Sequence, residues 1–126
     1  MKSALLILCL LAVGCREKPT VKAITTVPEM EGTWVVVEAT DPSGNGYEAD
    51  SVEMVITGNK ATCLNKTLRL EPNADSTYIR LFETINGVEK QVGEVAVEMT
   101  IEANPPQMVW MDVANTKQVT LFQRKQ

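Results

Sequence analysis

Apolar residues fall along this chain in two regimes. Behind Met1-Lys2-Ser3, residues 4–13 form an unbroken apolar run. From residue 31 onward the apolar positions come instead in short runs or strict alternation, broken every few residues by Gly, Asn, Asp or Pro. As a helix, the first run would reach only ~15 Å at ~1.5 Å per residue. A bilayer core is roughly 30 Å thick, so the run is too short to span it. A single positive charge, a short apolar core and the small residues Ala12, Val13 and Gly14 predict a secretory signal peptide over residues 1–14.

From residue 31 these short apolar or alternating runs between turn residues read as strands. Residues 32–39 are rich in β-formers. A dense turn cluster, Asp41-Pro42-Ser43-Gly44-Asn45-Gly46, comes next. Residues 52–57 and 60–64 flank Gly58-Asn59 and predict a hairpin. Residues 67–71 alternate and stop at Pro72, and residues 77–83 follow the turn Asn73-Ala74-Asp75-Ser76. Asn86-Gly87 then leads into residues 92–103, where Val95, Val97, Met99 and Ile101 share one face and Glu94, Glu98 and Glu102 the other. Residues 108–113 and 119–124 complete a set of eight, with no amphipathic helix. Short connections make successive strands antiparallel. An even number of them can close first against last and leave no edge exposed. The expected fold is all-β: a small eight-stranded antiparallel up-and-down barrel, with a two-sheet sandwich as the alternative. A membrane-spanning barrel is disfavoured, because the three glutamates would face lipid or crowd the lumen.

Residues 16–29 carry charges, two prolines and no consistent period. They read as an extended tether reaching at most roughly 45 Å at ~3.3 Å per residue. An edge strand around 21–27, stopped by Pro28, is the other reading. The chain thus divides into a leader over 1–14, Cys15 with a tether over 15–29, and a barrel domain over 30–126.

Ala12-Val13-Gly14-Cys15 resembles the lipobox of bacterial lipoproteins, although Ala12 stands where leucine is more usual. The resemblance implies a diacylglyceryl thioether on Cys15 and usually an acylated amine. Two or more acyl chains hold a protein stably on a membrane, at ~0.8 kcal/mol per buried methylene. An ordinary signal peptide with a chance cysteine is the bland alternative. Aspartate after the cysteine typically retains such proteins at the inner membrane. The chain has Arg16 there, so the resemblance points to a cell-envelope protein of the outer membrane, facing the periplasm.

Cys9 leaves with the leader and Cys15 is taken by lipid, so Cys63 has no intramolecular partner and no disulfide framework is expected. Cys63 reads as a small buried hydrophobe in preference to a reactive thiol. The chain has 12 Lys+Arg against 16 Asp+Glu, a net charge of −4. With its acids scattered singly and no basic cluster, it is not built to bind nucleic acid.

Gly32-Thr33-Trp34 at the head of the first strand is similar to the Gly-x-Trp motif of the lipocalins. The wider pattern resembles the small, mostly uncharacterised lipocalin-like domains of planctomycetes. The stretches that carry it are Met30-Glu31-Gly32-Thr33-Trp34, Val55-Ile56-Thr57-Gly58-Asn59-Lys60, Leu68-Arg69-Leu70-Glu71-Pro72 and Leu121-Phe122-Gln123-Arg124. Each is short. The chain is also more compact between Pro72 and Gln107 than those domains often are. The resemblance implies an arginine across the conserved tryptophan. If the strands close up-and-down, Arg124 lies near Trp34 in a cation–π contact of ~0.5–2 kcal/mol.

Histidine is absent, which removes the commonest general base and the commonest metal ligand. No phosphate loop, Cys-x-x-Cys or nucleophile elbow occurs. Asp41, Glu48 and Asp50 could gather around Ca²⁺, but singly they read as a solvated loop. Asn65-Lys66-Thr67 matches a glycosylation acceptor and reads as a turn. The expectation is a non-enzymatic protein with no catalytic residue, metal or cofactor. Five methionines follow the leader: Met30, Met54, Met99, Met108 and Met111. They suit gap-filling in a small core, or an adaptable cavity. If there is a cavity, Met54, Ile56, Val97, Met99 and Trp110 are the residues expected to line it. Two strands are apolar on both faces. Val35 and Val37 oppose Trp34 and Val36, while Val109, Met111 and Val113 oppose Met108 and Trp110. The outer set would mark a protein-partner or homodimer surface, or lie under residues 21–27. Two functions follow: a lipid-anchored binder of a small apolar ligand, or an interaction module such as a hydrolase inhibitor or envelope assembly factor.

Overall fold

The computed structural model describes residues 21–100 and 102–125, with only the backbone described for 47–51. Residues 1–14, where the leader is expected, and Cys15 lie outside the described residues, as does Ile101. Nine strands form one sheet: β1 Val21–Ile24, β2 Gly32–Thr40, β3 Gly46–Thr57, β4 Lys60–Cys63, β5 Lys66–Pro72, β6 Ile79–Ile85, β7 Val88–Thr100, β8 Gln107–Asp112 and β9 Val119–Arg124. From β2 to β9 each strand pairs antiparallel with the next, and β9 pairs back onto β2. The eight close into an up-and-down barrel, so the sandwich alternative does not hold.

Alternation in the sequence becomes inside and outside. Trp34, Val36, Met54, Ile56, Leu70, Ile79, Val95, Val97, Met99, Met108, Trp110 and Phe122 form one buried cluster. Glu98, on the opposite parity of β7, is exposed. Turn chemistry agrees as well. Asn86 and Gly87 hold φ of 53° and 79°, the doubly positive geometry that a tight hairpin needs and that Asn-Gly adopts most readily. The β4–β5 turn has the same sign pattern at Leu64 and Asn65, with φ of 51° and 67°.

Three features depart from the sequence reading. Strand β3 begins at Gly46 and β7 at Val88, so both are longer than the expected 52–57 and 92–103 at their upstream ends. A register shift between Val36 and Glu38 leaves Val37 as an extra residue in β2, a bulge that bends the strand where it joins both neighbours. The stretch 21–29 also belongs to the domain and not to the tether expected over 15–29, and the alternative edge strand around 21–27 holds over Val21–Ile24. Strand β1 pairs with residues Val97–Thr100 of β7, continuing the wall beyond Ile79 of β6, which pairs with Val95. A 3₁₀ turn, Val27–Met30, follows, and Ile24, Val27 and Met30 are all buried. Their three-residue spacing carries neither strand nor helix period over so short a length, which is why the sequence reads as irregular there.

This segment closes one end of the barrel. Trp34 Nε1 donates to the Met30 carbonyl at 2.9 Å, and the Glu31 carboxylate accepts from the Gly58 N–H at 3.0 Å. At the other end the wall is uneven. Strand β4 has only four residues while β7 has thirteen, so the β4–β5 hairpin forms a notch in the rim.

Candidate functional site

At that notch lies an apolar cleft of about 430 Å³, lined by Met54, Ala61, Cys63, Leu64, Lys66 and Leu68. Three strands position it. Met54 of β3 is opposite Cys63 of β4, Ala61 of β4 is opposite Leu68 of β5, and Cys63 is opposite Lys66. Cross-strand partners share a face, so these side chains point inward together. Leu64, in the turn above them, is 74% exposed. The lining is aliphatic and sulfur-rich with one ammonium at the rim. Lys66 Nζ stands 3.8 Å from the Glu83 carboxylate, and its side chain is largely exposed. Such a cleft offers dispersion contact and one point of charge.

Cys63 is a free, half-buried thiol, and its burial pushes its pKa up. A thiol held protonated is a poor nucleophile and behaves as a small hydrophobe.

Of the residues expected to line a cavity, Met54 borders the cleft. Ile56, Val97, Met99 and Trp110 are packed within the buried cluster deeper in the barrel. Trp110 meets Phe122 edge to face, with centroids 5.2 Å apart and planes at 61°. Its Nε1 is buried without a hydrogen-bond partner. Ala61, Cys63, Leu64, Lys66 and Leu68 were not assigned to a site from the sequence. The common parity of Ala61, Cys63 and Leu68 was the available signal. The low wall above them was not legible.

The other singled-out residues sit elsewhere. Trp34 and Arg124 are at the closed end, with the Arg124 guanidinium carbon 4.6 Å from the indole centroid. Arg124 Nη2 also donates to the Glu31 carbonyl at 3.2 Å. Thr33 follows Gly32 at the start of β2 and accepts the Lys125 N–H on its carbonyl at 2.8 Å. Asp41 organises its own loop, its carboxylate accepting from the Ser43 and Asn45 N–H groups, each at 2.9 Å. The side chains of Glu48 and Asp50 lie outside the described residues. Among the described residues, no group of three or more Cys, Asp or Glu is placed to hold a metal ion.

Two outer faces complete the surface. Across β5, β6 and β7, Arg69 stacks on Phe82 at 4.3 Å and pairs with Glu71 and Glu89, while Arg80 pairs with Glu71. Bonding to Arg69 holds both carboxyls below the usual range and raises the guanidinium in turn. On the outer faces of β2 and β3, Val37 and Val55 are exposed and Val35 is half-buried, and beyond the intervening β9, Val109 and Met111 of β8 are half-buried. Strand β1 does not lie over that face; it pairs with β7 in the wall. Compared with protein-family models, curated proteins and solved structures, the chain finds no match.

Proposed function

We propose that this protein is a lipid-anchored component of the cell envelope whose lipocalin-like barrel binds a small apolar ligand at its mouth. The carrying observation is the cleft of about 430 Å³ walled by Met54, Ala61, Cys63 and Leu68. Ligand pockets run from roughly 300 to 1,000 Å³ and are mostly apolar with a few polar groups. This cleft is of that size, and Lys66 supplies the polar group. The lipobox-like Ala12-Val13-Gly14-Cys15 supports the anchor, and the absence of histidine from the chain supports binding over catalysis.

Native mass spectrometry of the lipid-free domain, purified from its own host, tests this reading. A reproducible added mass that denaturation releases is expected, and Ala61→Trp, which fills the cleft, should abolish it while the domain stays folded. A clean mass for both proteins would remove the ligand reading. The second reading, a protein-interaction module, is favoured by the exposed Val37 and Val55 with half-buried Val35 on β2 and β3. A dimer or a co-purified protein in the same spectrum would select it.

A further inference from the structure

We infer that the barrel stands on its membrane closed end down, with the mouth facing away from the bilayer that holds it. The inference rests on the lipid anchor at Cys15 proposed above. It turns on how much chain is left between that anchor and the fold.

Strand β1 begins at Val21, so only five residues, 16–20, separate it from Cys15. At ~3.3–3.6 Å per residue no chain of that length spans more than about 20 Å. This is less than half the reach of a tether running to residue 29. Val21 is also placed at one end of the molecule. It pairs with Thr100, the last residue of β7, beside the 3₁₀ turn that closes the barrel. At the far end of β7 stands Val88, in the hairpin that rises beside the mouth. The thirteen residues of β7 extend about 40 Å at ~3.3 Å each. Barrel strands tilt by ~35–45°, which leaves about 30 Å along the axis. The spacer is therefore shorter than the barrel is tall, and an upright barrel cannot bring its mouth to the surface that anchors it.

The spacer is not lengthened by detaching β1. Peeling β1 away to lengthen the spacer would expose Ile24, which is 1% accessible, and break the Lys22–Glu29 ion pair. The closed end takes the bilayer because Val21, where the spacer enters the fold, lies at that end.

The consequence concerns exchange. A ligand enters and leaves through the aqueous compartment or a soluble carrier, and not by sliding from the leaflet that holds the anchor. Leu64, Ile85 and Val88, exposed at the tips around the mouth, are presented to that compartment.

The test uses the full, lipidated protein in phosphatidylethanolamine/phosphatidylglycerol vesicles carrying a headgroup-linked quencher. In a Cys63→Ser background, a fluorophore is placed through Glu102→Cys, two residues beyond Thr100, or through Val88→Cys at the mouth. Quenching several-fold stronger at position 102 than at 88 is expected. A twenty-residue Gly/Ser insertion between Lys18 and Pro19 should erase most of that difference. Equal quenching, or stronger quenching at 88, in a protein whose Cys15 carries lipid by mass would overturn the orientation and leave the anchor standing. An unmodified Cys15 and no vesicle association would overturn both, and the mass of the N-terminal peptide tells the two failures apart.

Discussion

Trp34 and Arg124 are register partners across the seam where the first barrel strand meets the last, and the guanidinium lies over the indole at 4.6 Å. The indole is fully buried and spends its N–H on the Met30 carbonyl. The arginine spends one N–H on the Glu31 carbonyl. These contacts join the 3₁₀ turn, the head of β2 and the end of β9 at the closed end of the barrel.

Replacing Arg124 with alanine should cost ~0.5–2 kcal/mol from the cation–π contact, read as a lower urea midpoint with unchanged slope. Arg124→Lys should recover only part of it, because an ammonium lacks the flat face that stacks on the ring. Equal stability of all three proteins would show the stack to be inert.

Gly32→Ala should destabilise by ~1–3 kcal/mol in the same measurement, the usual cost of a side chain held in a sparsely populated backbone region. Gly32 has φ of +142°, and a Cβ there would stand 3.3 Å from the Arg124 guanidinium carbon. Wild-type stability for this variant would show that the closed end relaxes freely.

Ile24→Ala should cost ~2–5 kcal/mol, as for a buried aliphatic side chain cut to a methyl. If residues 21–29 were only a tether, the same change would cost nothing. Lys22→Ala, which removes a surface ion pair, should cost ~1 kcal/mol or less.

Stability should fall with acid partly through Glu71 and Glu89. Bonding to Arg69 keeps both carboxyls lower in the folded chain than their ordinary value of 4.5. A carboxyl depressed by folding stabilises fully above its unfolded pKa and loses that contribution as pH falls through the folded value. The gap in thermal midpoint between the wild type and Arg69→Gln should therefore be widest near neutrality and narrow below pH ~4. High salt should narrow it too, since the pairs are exposed to solvent. A gap that stays constant with pH would show the pairs to be thermodynamically idle.

Cys63 should alkylate slowly at neutral pH and faster as pH rises, because burial pushes its thiol up. An occupant of the cleft that Cys63 lines should slow the reaction further. Rates indifferent to pH and to added apolar ligand would detach Cys63 from the site.

Much of this architecture was legible residue by residue. Strands around Leu70 and Val97 announced themselves by alternation, those around Trp34, Ile56, Trp110 and Phe122 by β-forming residues between turn signals, and Asn86-Gly87 by its turn chemistry. The candidate site was legible only in part. Met54 could be placed facing inward, but so could Ile56, Val97, Met99 and Trp110, and parity says which way a side chain points without saying what it meets there. Of the two readings of residues 21–29, the edge strand holds over Val21–Ile24, while the burial of Ile24, Val27 and Met30 was not legible because their spacing shows no period.

Local rules, a two-residue repeat and the left-handed freedom of Asn and Gly, are carried by adjacent residues, so the eight barrel strands and their antiparallel order were legible from sequence alone. The leader pattern before Cys15 is local in the same sense. Three features belong to the closed barrel alone: the unequal wall heights that open a cleft at β4–β5, the bulge at Val37, and the docking of β1 beneath β6. Each depends on how strands distant in the chain stagger against one another. That stagger minimises exposed apolar area over the whole barrel, a sum that no single stretch of sequence contains.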